Sequence, residues 1–395
     1  MIENILSPIL LPEFALDAHS IDLITKVILS DKEKMKALPT DDPLDPKRMR
    51  RVEWTLEELV AQPDVISNTL KIEAEQIKET AKYLADKSIE NIVLVGCGDS
   101  LASMIGVKAA YEKLLGLPTE VHQSLDFAYY NHSLINEKSL VITLSSSGKT
   151  PRTIEAMLIA RMKKAVIIAM SNTPGSPLME EADRGILIHA ERKGWPTQSS
   201  TAAMATMFQL LIEFAEIRGG DPEAVAKFRS DFSQVPELMR KTIQLTDETI
   251  HRIAIKERDK EFYLFSAGGP TYAAAIFGSA KVKECSPSRA LEIQLEEFHH
   301  YNTVKVGDPI FIIAPDGYSV PRAVDTASEA KRWGGVVYSI VTGDNPALDE
   351  NSDLVLRLPV VDELLASLIY AIPVQQFGYH VAMEKFFHAQ KTLKS

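Results

Sequence analysis

The segment SLVITLSSSGKTP, residues 139–151, carries the clearest fold signal in the sequence. Its first six residues form a short apolar and β-branched run that is typical of a buried strand. Thr150 and Pro151 are typical of a helix start, as the N-cap and the first helical residue. Three serines and a glycine lie between strand and helix, so a helix N-terminus and several hydroxyls could serve one anion. This pattern favours a phosphate site over an ordinary capped turn, because α/β sheets bind ligands at the carboxyl ends of their strands.

Short apolar runs alternate with longer amphipathic segments on both sides of this motif. Such alternation predicts a parallel sheet with helices on both faces, because parallel strands need crossover connections that are usually helical. In the first half of the chain the predicted strands are 91–95, 119–122, 139–144, 165–170 and 185–189. We therefore predict an α/β fold built on a doubly wound, five-stranded parallel sheet.

The same order of strands returns about 170 residues later. The predicted strands of the second half are 261–265, 289–293, 309–314, 335–341 and 354–358. At an offset of 170, Leu140 pairs with Ile310 and Gly98 pairs with Gly268. A constant offset over five strands is hard to obtain by chance, so we interpret the chain as two tandem copies of one domain.

This repeat divides the chain into three parts. Residues 1–50 are predicted to form an N-terminal helical arm, in which the turn-rich stretch 38–51 is predicted to act as a linker. Residues 51–220 form the first domain with a leading helix, and residues 221–395 form the second domain with a connecting helix.

The composition narrows the class of protein. The chain has 395 residues, a net charge of −11 and two cysteines, Cys97 and Cys285. The acidic balance disfavours nucleic acid or a membrane surface as a partner, and two cysteines disfavour a disulfide framework or a four-thiolate metal site. The N-terminal residues lack a basic signal-peptide region, and no apolar run is long enough for a membrane span. We expect a cytoplasmic protein.

A glycine-rich turn, GCGDS at 96–100, follows the first predicted strand. Its spacing begins like a dinucleotide-binding fingerprint, but Leu101 stands where the third glycine is needed. A NAD site is therefore disfavoured, and a tight strand-to-helix turn is the simpler interpretation. The serine loop also lacks the spacing of a P-loop, which disfavours an ATPase or a kinase.

Together, GCGDS after a strand and SLVITLSSSGKTPRTIEA resemble the sugar isomerase (SIS) domain family. Two such domains after a helical segment resemble the isomerase half of glucosamine-6-phosphate synthase and the fructosamine-6-phosphate deglycases, over about residues 52–388. The resemblance implies a phosphosugar ligand and no cofactor. It assigns phosphate binding to Ser100, Ser145, Ser146, Ser147 and Thr150, and sugar binding to Gly98, Ser200 and Thr201.

The second copy carries charged and imidazole groups in place of the hydroxyl loop. These lie in SAKVKE at 279–284 and EEFHH at 296–300. A carboxylate and an imidazole suit proton transfer between C1 and C2 and ring opening of a sugar. From the residues alone, there is an alternative without catalysis. Glu284 and Lys281 would lie on a solvated helix face, and His300 would be an ordinary loop histidine. A metal site at the two histidines is disfavoured, because no third ligand lies at a suitable spacing.

The resemblance favours a catalytic role for these residues over a solvated helix face and a loop histidine. It implies that Glu284 is the C1/C2 proton-transfer base, that His300 is the ring-opening acid/base, and that Lys281 belongs to the catalytic site. In the family this histidine can come from the neighbouring subunit, so the resemblance implies a homodimer with active sites at the subunit interface. Tyr301 replaces the glycine that usually follows the histidine.

These features predict an enzyme that acts on a 6-phosphorylated amino or ketoamine sugar. The reaction could be isomerisation, deamination or deglycation. A deaminase or deglycase is favoured over a synthase, and the stretch INEKSLVITLSSSGKTP resembles the deglycases slightly more. The chain begins Met1-Ile2, without the N-terminal cysteine of the synthases, so no glutaminase activity is expected, and the C-terminus FHAQKTLKS has no clear counterpart of their lysine-bearing tail. The alternative is a sugar-phosphate-binding regulator, which needs the phosphate loop but neither Glu284 nor His300.

Overall fold

The chain folds around two five-stranded sheets in which every strand pair is parallel. The structure, a computed structural model, describes residues 7–35, 40, 42, 44–301 and 303–394. The strand order is β2-β1-β3-β4-β5 in the first sheet and β7-β6-β8-β9-β10 in the second, where strands are numbered along the chain. The two copies therefore share one topology, as the repeat predicts.

The elements of the first half are, in chain order, α1 (Ala18–Met35), α2 (Pro46–Ile72), α3 (Ala74–Ala85), β1 (Asn91–Gly96), α4 (Asp99–Leu115), β2 (Thr119–Gln123), α5 (Ser124–Tyr129), β3 (Ser139–Leu144), α6 (Pro151–Met162), β4 (Val166–Ser171), α7 (Pro177–Glu181), β5 (Arg184–Leu187) and α8 (Gln198–Arg218). Those of the second half are α9 (Pro222–Ser233), α10 (Val235–Glu257), β6 (Phe262–Ala267), α11 (Tyr272–Cys285), β7 (Arg289–Gln294), α12 (Leu295–Phe298), β8 (Pro309–Ala314), α13 (Val320–Arg332), β9 (Val336–Thr342), α14 (Pro346–Glu350), β10 (Leu354–Leu358) and α15 (Ala366–Lys394). All ten predicted strands are confirmed, with ends that differ by at most two residues.

The offset between the copies is not constant, which corrects one pairing. Gly98 lies just before α4 with φ +57°, and the glycine with φ +57° in the second copy is Gly269, whereas Gly268 has φ −126°. The first strands of the copies, β1 and β6, start 171 residues apart, but β3 and β8 start 170 residues apart. Gly269 is therefore the counterpart of Gly98, because both residues occupy the left-handed turn that glycine adopts most readily.

The stretch predicted as a linker is partly helical. Residues 38, 39, 41 and 43 lie outside the described residues, but α2 already begins at Pro46, so the prediction is wrong for 46–51. Asp45 caps this helix by accepting a hydrogen bond from the Lys47 backbone N–H, and the proline at the first position needs no intrahelical partner. Prolines and aspartates are typical of turns, but the same residues also start helices.

The residues before α2 pack on the first domain. Ile24, Val27 and Ile28 of α1 are buried against α6 in one apolar cluster. The Glu155 carboxylate of α6 is fully buried, and it accepts hydrogen bonds from Ser7, Tyr129 and Arg152. The arm therefore covers the outer face of the helix that follows the serine loop.

Helices from both halves form the centre of the molecule. The helix α4 packs against α8 and α11, and α2 packs against α8, α10 and α15. At Gly106 of α4, a Cβ would lie 2.8 Å from Met204 Cε and 3.1 Å from Ser367, so the backbone approaches its neighbours closely there. This packing brings α11 of the second domain beside the glycine-rich turn of the first. In the described ranges, no helix combines the length and apolarity needed to cross a bilayer.

Candidate active site

A cavity of about 350 Å³ opens at the carboxyl ends of β1 and β3. The order of the sheet reverses between these two strands, and such a switch point is where open α/β sheets form ligand crevices. Its walls consist of Cys97, Gly98, Asp99, Ser100, Ser103, Leu144, Ser146, Ser147, Thr150, Arg192, Pro196, Ser199, Ser200, Ala203, Ala280, Lys283 and Glu284. Because the last three residues belong to α11, both domains contribute to one cavity.

The serine loop forms one wall of the cavity, but not all of its predicted phosphate-binding residues line it. Ser146, Ser147 and Thr150 line the cavity, whereas Ser145 is buried behind them. The Ser145 and Thr150 hydroxyl oxygens are 2.8 Å apart, so Ser145 holds Thr150 in place. Thr150 is the N-cap of α6, but its side chain makes no capping bond. Its hydroxyl contacts Ser145 instead.

A glycine shapes this loop. Gly148 has φ +59°, and a Cβ at this position would collide with the side chain of Ser176. The Gly148 N–H donates to the Ser145 carbonyl oxygen at 2.9 Å, which closes the turn. The helix α6 begins directly after this turn, and a helix N-terminus next to hydroxyl groups is an arrangement that favours an anion.

The glycine-rich turn supplies the second wall. Gly98 precedes α4, and the first residues of this helix, Asp99 and Ser100, line the cavity. Ser200 of α8 also lines it, and its hydroxyl lies 3.4 Å from Asp99 Oδ2. The predicted positions Gly98, Ser100 and Ser200 therefore meet in one place.

Thr201 does not face the cavity. Its side chain is fully buried, and its hydroxyl donates to Gln62 Oε1 of α2 at 2.8 Å. Thr201 lies about 100° further around α8 than Ser200, which turns its side chain toward α2. The predicted sugar contact of Thr201 is thus not supported, and the residue instead joins α8 to α2.

Three charged groups meet at the α11 side of the cavity. The Lys281 side chain is fully buried, its Nζ lies 2.8 Å from Asp99 Oδ2, and it also forms an ion pair with the Glu284 carboxylate. Burial opposes the positive charge of Lys281, but the two carboxylates outweigh it and raise the pKa of the ammonium. The alternative of a solvated helix face is therefore wrong for Lys281.

Glu284 lies in an environment suited to a base. Burial raises the pKa of its carboxyl group, the charge of Lys281 lowers it, and the charge of Asp99 raises it further, with a net upward shift. An upward shift brings a glutamate closer to neutral pH, where a general base exchanges protons most effectively. Arg48 fixes the backbone here, since its Nη1 donates to the Glu284 carbonyl oxygen at 2.7 Å.

His300 lies in a different depression of the same chain. Its side chain is 62% exposed, and its Nε2 lies 3.5 Å from Glu296 Oε1. The neighbouring His299 is more buried, and it contacts Glu329 at 2.6 Å and Thr326 at 3.1 Å. The structure thus does not bring His300 to the cavity of its own chain. No group of three His, Cys, Asp or Glu side chains forms a metal site within the described residues.

Comparison with known proteins places these features in a family. The chain matches the SIS domain over residues 84–213 and again over residues 258–385. It belongs to the SIS domain family. Both matched stretches lie within the two predicted copies, and each contains one of the two parallel sheets.

Two relatives of this SIS protein have names that include a phosphosugar, fructose 6-phosphate. It is 27% identical over 375 residues to the isomerizing glutamine–fructose-6-phosphate aminotransferase of Thermococcus kodakarensis, covering 90% of this chain and 61% of that protein. For the Escherichia coli enzyme of the same name, the identity is 26% over 340 residues, covering 83% of this chain and 55% of that protein. The chain thus spans less than two thirds of the length of these relatives.

Solved structures share the fold. The C-terminal domain of glucosamine-fructose-6-phosphate aminotransferase from Francisella tularensis superposes with a TM-score of 0.74 at 24% identity, covering 84% of this chain and 96% of that chain. The glucosamine-6-phosphate deaminase of Thermotoga maritima gives a TM-score of 0.66 at 19% identity, and the match covers 83% of this chain and 94% of that chain. At these identities, the likeness shows the common fold.

Among the cavity residues of this SIS protein that were not predicted as site residues are Asp99, Arg192 and Ser199. Nothing in the sequence links Asp99 of the glycine-rich turn to Lys281, which lies 182 positions away. Arg192 and Ser199 belong to the loop before α8 and to the start of that helix. The Ser-Ser-Thr run at 199–201 could have pointed to Ser199, but no sequence signal marks Arg192.

Proposed function

We propose that this SIS protein is an enzyme that acts on a 6-phosphorylated amino or ketoamine sugar and transfers a proton between C1 and C2. One observation supports this proposal most strongly: a hydroxyl-lined helix N-terminus and a partly buried glutamate with a raised pKa line the same cavity. The first feature suits a phosphate group and the second suits a base. The proposal includes no glutamine hydrolysis.

In this mechanism the phosphate on C6 binds at Ser146, Ser147, Thr150 and Ser100. Hydroxyls and backbone N–H groups at the start of a helix donate hydrogen bonds to its oxygens, and the helix dipole favours its negative charge. The phosphate end fixes the sugar, so C1 and C2 of the open chain extend toward α11. The binding of this non-reacting group therefore orients the carbons that react.

Glu284 then acts as the base at C1 and C2. For a ketoamine, its carboxylate removes a proton from C1, and the C1–C2 enolamine is reprotonated at C2 to give a C1=N bond. One water hydrolyses this bond and yields an aldose 6-phosphate and the free amine. For a 2-amino aldose, the proton moves from C2 to C1, and hydrolysis of the C2=N bond releases ammonia. The buried ammonium of Lys281 holds the carboxylate in position during these transfers.

His300 opens the sugar ring in this proposal, and it does so from a second subunit. Its exposed position outside the cavity of its own chain is compatible with delivery to the cavity of a partner. We therefore propose a homodimer in which each active site takes Glu284 from one chain and His300 from the other.

A substrate panel tests the proposed function. Wild-type protein and Glu284→Gln are incubated with fructosamine 6-phosphate, glucosamine 6-phosphate and fructose 6-phosphate, and ammonia, free amine and hexose 6-phosphate are assayed. We expect turnover of at least one amino or ketoamine sugar by wild type and a loss of about 10²- to 10⁴-fold in the variant. An equal rate in the variant would contradict the role of Glu284. Ligand-dependent thermal stabilisation without turnover would instead favour a sugar-phosphate-binding regulator.

A further inference from the structure

The loop before α8 carries two of the residues that line the cavity. Arg192 and Pro196 face the cavity, whereas the three residues between them, Lys193, Gly194 and Trp195, do not line it. The loop lies outside the helices and strands, so contacts with a neighbouring element must set its position.

The helix α2 makes these contacts through two side chains. Glu58 Oε1 accepts hydrogen bonds from the backbone N–H groups of Lys193 and Gly194, the second at 3.0 Å. The Trp195 backbone N–H donates to Thr55 Oγ1 at 2.8 Å. Thr55 and Glu58 are three positions apart and therefore lie on one face of the helix. Three consecutive N–H groups of the loop are thus bound by one face of α2.

The loop and α2 also approach each other closely. A Cβ at Gly194 would lie 2.6 Å from Thr55 Cα, so the absence of a side chain lets the two backbones meet there. The Arg51 guanidinium stacks over the Trp195 ring at 3.5 Å, and its Nε donates to the Gly194 carbonyl oxygen at 3.4 Å. The loop is therefore held through both its backbone and its aromatic ring.

The Glu58 carboxylate is the most deeply committed of these groups. The residue is only 6% exposed. A carboxylate is costly to remove from water unless hydrogen bonds compensate for the loss, and the two loop N–H groups supply that compensation. Removing the carboxylate would in turn leave both N–H groups without this acceptor.

The same helix contacts the opposite side of the cavity. Arg48 Nη1 donates to the Glu284 carbonyl oxygen of α11 at 2.7 Å. Arg48 lies three residues before Arg51, on the face of α2 that holds the loop. The helix α2 thus connects two walls of the cavity that belong to different domains.

We propose that Glu58 is a positioning residue, which holds the loop 192–196 so that Arg192 and Pro196 form one wall of the cavity. It acts through the loop rather than by touching the substrate. The consequence for turnover rests on the proposed function, because a displaced wall changes how the open-chain sugar lies relative to Glu284. A misplacement of about 1 Å can cost about 10²-fold in rate.

Glu58→Ala and Glu58→Gln test this role as a pair. Alanine removes the acceptor, whereas glutamine keeps a side-chain oxygen that can accept from both N–H groups. We expect kcat/KM for the phosphosugar that wild type converts to fall by about 10- to 10²-fold in Glu58→Ala. It should stay close to the wild-type value in Glu58→Gln.

A fluorescence measurement follows the loop directly. The chain has three tryptophans, and replacing Trp54 and Trp333 by phenylalanine isolates the emission of Trp195. Acrylamide quenching of Trp195 should rise in Glu58→Ala and stay at the wild-type level in Glu58→Gln. Thr55→Val keeps the side-chain volume but removes the acceptor of the Trp195 N–H, so it should also raise the quenching. This variant tests the loop contact if Glu58→Ala does not fold.

Glu57→Ala is the matched control. Glu57 precedes Glu58 on α2 and carries the same charge, but its side chain is exposed. This variant should keep the rate and the quenching of wild type. Unchanged quenching in Glu58→Ala, an equal change in Glu57→Ala, or a Glu58→Gln protein as impaired as Glu58→Ala would overturn the positioning role.

The outcomes for Glu58 and for the proposed function are distinguishable. If wild-type protein converts no phosphosugar but Trp195 is more strongly quenched in Glu58→Ala and not in Glu58→Gln, the loop contact stands and the catalytic proposal is wrong. If wild type and Glu58→Ala convert a phosphosugar at equal kcat/KM, the catalytic proposal stands and the positioning role is wrong.

Discussion

The ammonium of Lys281 lies 2.8 Å from the Asp99 carboxylate, although the two residues belong to different domains. The same ammonium pairs with Glu284 one helical turn away on α11. Lys281 is fully buried, so this ion pair crosses the domain boundary with little solvent around it. The contact fixes the distance between the glycine-rich turn of the first domain and the proposed base of the second.

Replacing Lys281 by methionine should destabilise the protein strongly. The substitution keeps most of the side-chain volume but leaves the Asp99 and Glu284 carboxylates beside each other without a cation. Breaking a buried ion pair from one side typically costs about 3–5 kcal/mol. Urea denaturation measures this loss. Lys283→Met is the control, because that side chain is 47% exposed, and it should change the free energy of unfolding by less than about 1 kcal/mol.

Replacing Asp99 by asparagine should shift the pH dependence of the reaction. Burial is the main cause of the raised pKa of Glu284, Lys281 opposes it, and the negative charge of Asp99 raises it further. Removing that charge lowers the pKa of Glu284, so the base stays ionised at lower pH. The acid limb of the kcat profile should move to lower pH, and pH–rate profiles of wild type and variant measure the shift. An unchanged or upward-shifted limb would mean that Asp99 does not act on Glu284.

Replacing Gly148 by alanine should weaken binding at the serine loop. The alanine Cβ collides with Ser176, and the residue must also adopt φ +59°. Gly116→Ala is a matched control, since Gly116 has φ +63° but its Cβ would meet no atom within 4 Å. Both variants should lose about 1–2 kcal/mol from the left-handed conformation, and only Gly148→Ala should also raise the dissociation constant for fructose 6-phosphate. Equal affinity in both variants would contradict the assignment of the loop.

The sequence predicts the fold better than it predicts the site, for a physical reason. Each strand is a short apolar run such as SLVITL, because a strand that is buried on both faces of the sheet needs apolar residues at successive positions. The serine loop is also local, so its place at the end of β3 follows from residues 139–151 alone. In contrast, the contacts of Lys281 with Asp99 and of Arg51 with Trp195 join segments more than 100 positions apart, and no local pattern records them.

Side-chain direction separates two of the predicted site residues from the cavity. Ser145 and Thr201 have the residue types of ligand-binding positions, but both point into the protein, where Ser145 contacts Thr150 and Thr201 contacts Gln62. A one-residue difference between the copies likewise makes Gly269, rather than Gly268, the counterpart of Gly98. Side-chain directions and exact counterparts depend on the residue at which each helix or strand begins, and a constant offset between the copies does not predict that residue.

A complementation experiment tests whether His300 acts in a partner subunit. Glu284→Gln and His300→Ala each inactivate every site of their own homodimer. If the sites are shared, a heterodimer of the two variants contains one site with both native residues. Random pairing in co-expressed protein should then restore about one quarter of wild-type activity, because half of the dimers are mixed and each has one intact site of two. Glu284→Gln mixed with Glu284→Ala is the control, since both chains then lack the glutamate and no intact site can form. No recovery in the first mixture, or equal recovery in both, would mean that His300 does not act across a subunit interface.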